Sequence, residues 1–105
     1  FLCKKGMYNS LLKVEGNITI NGVFRGGTIN CSGNIYIWEL GGSSMSATVI
    51  KALKDSKITI EYCHANIMIY LGKELVRIDE PMQKVKIHRD KGMVQLEKLK
   101  WDGKI

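Results

Sequence analysis

Cys63 and His64 stand side by side, and a thiol beside an imidazole is the pair from which a nucleophile and its base are made. Neighbours on a strand point to opposite faces, so adjacency here separates the two groups. His88 is the other histidine and falls in a different element. Ser43, Ser44 and Ser46 bring hydroxyls with no nearby base, and Asp79 and Glu80 diverge if the chain is extended. Gly41-Gly42-Ser43-Ser44 has the glycines of a phosphate-binding loop but not its lysine or its following helix. A zinc site built on Cys63 and His64 would need distant partners that no spacing supplies. The expectation is a chain without catalytic, cofactor-binding or metal-ligating residues, hence no enzyme, no cofactor and no small-molecule substrate.

Composition narrows the class further. The 105 residues fit one domain, and 45% hydrophobic content suits a folded protein. No apolar run approaches the ~20 residues of a membrane-spanning helix. Cys3, Cys31 and Cys63 cannot all pair within the chain and read as small core residues in a reducing compartment. The net charge is +6, but bases and acids are interspersed: four against two in residues 1–50, twelve against eight in 51–105. A solvated surface accounts for that better than a polyanion-binding face does. An aromatic and basic patch of Tyr36, Trp38 and Lys51 is the thin case for single-stranded nucleic acid.

What must position any surface is a repeat. Gly16-Asn17-Ile18-Thr19-Ile20 returns 17 residues later as Gly33-Asn34-Ile35-Tyr36-Ile37. The same offset sets Leu12 on Ile29, Val14 on Cys31, Val23 on Leu40, and, backward, Ile18 on Phe1 and Phe24 on Met7. Apolar residues come in pairs spaced by two, the period of a strand with one buried side. Gly, Asn and Ser between the pairs permit tight corners. Two short strands and two corners every 17 residues make the rung of a β-solenoid, whose rungs bury their apolar sides by stacking. Ile50, Ala52, Ile58 and Ile60 continue the pattern at a longer spacing, which places an inserted loop at Gly41–Ser46. Ile67 and Ile69 form a further strand.

The pattern changes after Gly72. Val76 and Ile78 make a short strand ended by Pro81. Lys84–Ile87 and Met93–Leu96 alternate around Arg89-Asp90-Lys91-Gly92, a hairpin with one wet face. The expected organisation is β-helix rungs over residues 1–72 and a strand plus hairpin cap over 73–105. Trp101 belongs to that cap or to an adjoining segment.

The stretch VFRGGTINCSGNIYIWELGG resembles the G-G-x-I-x-A-x-x-x-I-x-V-K-E-L-G pattern of the bacterial flagellar assembly protein A family, and the tail from Cys63 to Leu99 is similar to that family's end. Cys31 stands where that family has a small Ala, and no Gly follows Ala52. The resemblance implies an all-β, right-handed parallel β-helix, attached to a separate N-terminal domain. It also implies a cytoplasmic bacterial protein linked in some members to flagellar assembly or polar organisation. The C-terminal domain of the division inhibitor MinC, another short β-helix with a G-N-I-x-V rung, is similar too, though its Arg-Ser-Gly segment is missing here. The bactofilins are a third, more regular relative.

The expected role is a structural or interaction module, with a polyanion-binding solenoid or a MinC-like division-inhibitor domain as alternatives. Phe1, Leu2, Met7 and Tyr8 fall mid-rung, so they are expected to meet preceding rungs of a parent protein or a second copy. Tyr36 and Trp38 complete the expected contact surface.

Overall fold

The computed structural model describes residues 1–42 and 47–104. All ten described elements are strands: β1 (Leu2–Cys3), β2 (Met7–Val14), β3 (Ile18–Cys31), β4 (Ile35–Leu40), β5 (Thr48–Ala52), β6 (Ile58–Cys63), β7 (Ile67–Leu71), β8 (Glu74–Ile78), β9 (Met82–Asp90) and β10 (Met93–Lys100). They form one continuous sheet coiled on itself. The fold is the expected β-solenoid, with parallel pairing from β1 through β7.

The 17-residue register holds. Ile18 pairs with Ile35, Ile20 with Ile37, Leu12 with Ile29, Val14 with Cys31 and Met7 with Phe24. Each rung has three straight segments, however, not two. In β3 these are Ile18–Ile20, Val23–Phe24 and Gly27–Cys31, aligned respectively on β4 (both first segments) and β5. They define a first, a second and a third face of the coil. The extra corner lies at Asn21-Gly22, inside a continuous strand, where alternation slips by one residue. Val23 therefore pairs with Glu39 rather than Leu40, and it is Phe24 that pairs with Leu40 and is fully buried. The lengthening of the next rung is also divided. Four extra residues enter before Ile50 and two between Ala52 and Ile58, where Ser56 N donates to Leu53 O at 3.0 Å in a turn. Of the loop expected at Gly41–Ser46, residues 43–46 lie outside the described residues.

Like stacks on like inside. The first face aligns Cys3, Ile20, Ile37, Ile60 and Val85. The second aligns Met7, Phe24, Leu40, Cys63 and Met82, and the third Leu12, Ile29, Ile50, Ile69 and Val76. Most of these side chains are fully buried, and burying a Leu, Ile or Phe is worth about 1.5–3 kcal/mol each.

The Gly-Asn repeat has its own explanation. Asn17 Oδ1 accepts from Asn34 N at 2.8 Å, and Asn34 Oδ1 accepts from Lys57 N at 3.0 Å. The amides thus form a ladder that satisfies backbone donors at a corner, where strand pairing stops. Gly16 takes a left-handed φ of 102°, and a Cβ on Gly33 would collide with the Gly16 carbonyl. The last rung is closed by antiparallel strands: β8 covers the edge of β7, and β9 covers the edge of β6. The hairpin thus continues the sheet and contributes Met82, Val85 and Ile87 to the shared core. Arg89 fixes this end, donating to Lys54 O, Leu71 O and Glu74 Oε1.

Candidate interaction surface

The residues expected to form one contact surface are divided among the faces. Phe1 and Leu2 lie at the edge of the first face, 51% and 59% exposed. Met7 points inward onto Phe24 and is half-buried, so it belongs to the core margin. Tyr8 is outward on the second face, with the Arg25 guanidinium 5.9 Å over its ring. Tyr36 sits outside the first face between Thr19 and Thr59. Partial burial and, secondarily, the nearby Glu61 push its phenol above the ordinary value. Trp38 stays exposed beside Tyr62. Lys51, grouped with Tyr36 and Trp38 on sequence, lies on the third face between Asn30 and Tyr70. The aromatic and basic patch is therefore not assembled, because the chain turns a corner between its members.

The second face carries a network that spacing does not reveal. Arg25 donates through Nε to Gly41 O at 2.9 Å and through Nη2 to Glu39 Oε2 at 3.2 Å. His64 Nε2 meets the same Glu39 oxygen at 2.8 Å. Trp101 then folds over this face, its ring 4.9 Å from His64 and 5.2 Å from Tyr62, and Tyr62 meets Trp38 edge-on at 5.0 Å. Trp101 is thus part of the cap, and His64 is a half-buried member of an ion-paired cluster rather than a free surface residue. Cys63 faces the other way, and burial pushes its thiol up to about 12, which suits a packing residue and not a nucleophile. His88 is on β9, paired with Glu97 at 3.3 Å.

The third face is different. Its outward columns are Leu11, Thr28, Val49, Met68 and Arg77, and beside them Lys13, Asn30, Lys51, Tyr70 and Leu75. Leu11 is 64% exposed and Leu75 42%. The sequence reading missed this surface, because Leu11 and Met68 look like ordinary members of apolar runs until their register is known. A cleft of about 870 Å³ opens at the neighbouring corner between Leu53, Lys54 and Glu74, but the Arg89 donors beside it are engaged by the chain itself. Among the described residues no cluster of three or more His, Cys, Asp or Glu could hold a metal, and no helix is long and apolar enough to cross a membrane. The three cysteines are unpaired.

Fold and faces together define a short, three-faced β-solenoid with side chains arranged in columns on its outside. No family model matches the sequence, and no curated protein matches it significantly. Among solved structures, a chain of the MinC:MinD cell division protein complex from Aquifex aeolicus is similar, with a TM-score of 0.67 at 16% identity, covering 97% of this chain and 87% of that one. The two share a fold.

Proposed function

We propose that this chain is a non-catalytic interaction module of a bacterial division-inhibitor-like protein, in which the rigid solenoid presents side-chain columns to a protein partner. The observation that carries this is the third face: a column in which Leu11 is exposed and Val49 and Met68 are half-buried, on a backbone whose hydrogen bonds are spent between rungs. The likeness to a protein found in a complex with MinD supports the division reading. The flagellar reading rests on the motif VFRGGTINCSGNIYIWELGG, without a structural counterpart. The exposed edge carrying Phe1, Leu2 and Tyr8 is the second contact surface in this proposal, for a second copy or for further rungs of a parent protein, in the cytoplasm. Production of the chain in a rod-shaped bacterium, followed by microscopy, tests the division reading. Filamentous cells are expected, and cells of normal length containing folded protein would overturn it.

A further inference from the structure

The outside of the third face has the composition of a receptor for one kind of partner. One column runs Leu11, Thr28, Val49, Met68, apolar but for the Thr28 hydroxyl and half-buried except at Leu11, and its neighbour ends in Tyr70 and Leu75. Lys13 and Lys51 flank the column and Arg77 closes it, and none of the outward residues is acidic. A groove of about 520 Å³ lies over Lys13, Asn30 and Lys51, is lined also by Glu15, and is bounded by Leu53, itself 56% exposed. Among the described residues, none of these outward side chains makes a hydrogen bond or an ion pair, whereas the second face is tied together by both. Three cations beside an apolar stripe, against the one carboxylate of Glu15 in the groove, select by charge complementarity a ligand that is apolar and acidic.

Geometry narrows the shape. Within the face, backbone groups pair from rung to rung, so a partner is received by side chains and not by strand addition. An element that lies on a sheet and buries one stripe is an amphipathic helix. The strands from β2 to β8 step by about 4.8 Å, so the column is about 19 Å long, which a helix covers with about 13 residues. Lys13 and Lys51 are two strands apart, about 10 Å, close to the rise of a helix between positions i and i+7. A nucleic acid would want a denser run of cations with stacking rings, and this face offers one half-buried tyrosine.

We infer that the third face binds an acidic amphipathic helix of a partner protein, its apolar stripe on Val49 and Met68 and its carboxylates on Lys13, Lys51 and Arg77. This rests on the interaction-module proposal above and gives that module its partner's chemistry. The test uses the whole chain and a synthetic 16-residue helix with Leu at i, i+3, i+4 and i+7 spacing and Glu along both flanks. Binding is expected to weaken about tenfold on Met68→Asp and on Lys51→Glu, and to weaken with added salt. Circular dichroism of both variants should remain that of the parent. Equal binding by the same helix with Lys in place of Glu would overturn the inference, as would indifference to both substitutions. So would preference of this face for vesicles of phosphatidylserine and phosphatidylcholine, or for a single-stranded oligonucleotide. Filamentation without helix binding would remove this inference and leave the division reading, and the reverse result would do the opposite.

Discussion

At the Gly26-Gly27 corner, strand β3 leaves the second face and enters the third, and the outer surfaces on either side are in different states. On the second face Arg25, Glu39 and His64 are joined to one another, and Trp101 returns from the far end of the chain to lie on His64 and Tyr62. On the third face Leu11 and Leu75 stay exposed and Lys13, Lys51 and Arg77 have no ion-pair partner among the described residues. The inner sides are alike: Phe24 and Ile29, five residues apart, are both fully buried. A stacked core thus fixes the backbone equally everywhere and leaves each outer face free to diverge. One is completed by its own chain, and the other leaves Leu11 and Leu75 exposed beside half-buried Val49 and Met68.

The largest effects should come from breaking what the two faces share. Ile35 lies between Ile18 and Ile58 in the stack. Ile35→Asp would bury a carboxylate with no partner and should cost about 4 kcal/mol or more, enough to abolish a cooperative thermal transition. The corner between the faces comes next. Gly27 has φ 97°, and a Cβ there would meet the Ser10 backbone, whereas Gly16 has φ 102° with open space around it. Gly16→Ala should cost about 1 kcal/mol for conformation alone, and Gly27→Ala about 2–4 kcal/mol because conformation and collision add. Equal values in urea titrations would mean that the corner is not held against β2.

Two intermediate effects belong to the second face. Trp101→Ala removes the cover from Tyr62 and His64 and should lower stability by about 1–2 kcal/mol, with a changed near-ultraviolet spectrum. On the inner side, Cys63 is held protonated by burial to about 12, against an ordinary thiol value of 9.0. The unfolded chain therefore loses this proton first as pH rises. The stability that the thiol contributes is complete below pH 9 and declines toward 12, by about 1.4 kcal/mol at pH 10. Cys63→Ala should flatten that part of the pH profile in calorimetry.

Most of the core was legible because a solenoid writes its contacts at a fixed offset. Ile18 on Ile35 and Leu12 on Ile29 follow from counting 17 residues. The third segment of each rung was not legible, because the Asn21-Gly22 corner interrupts neither the strand nor the apolar content and only shifts Phe24 into the place expected of Val23. The surface was read least well. Spacing tells inside from outside along one strand, but a column such as Val49 and Met68 exists only after the unequal rung lengths are known. The second-face cluster needs Trp101 to meet Tyr62 across 39 positions of sequence, which no local pattern encodes.

The smallest expected effect sharpens the comparison most. If the third face is uncovered in the folded chain, its outward side chains contribute little to folding, however apolar they are. Leu11 is 64% exposed and stands opposite Thr28 in the β2–β3 ladder. Leu11→Lys should therefore change stability by no more than about 0.5 kcal/mol, the range of surface substitutions without a special role. The contrast with Trp101→Ala, an aromatic that covers its own face, is what the two surfaces predict when both variants are measured in one denaturant series. A loss from Leu11→Lys as large as that from Trp101→Ala would mean that the third face is already covered in the folded protein, and the difference between the faces would disappear.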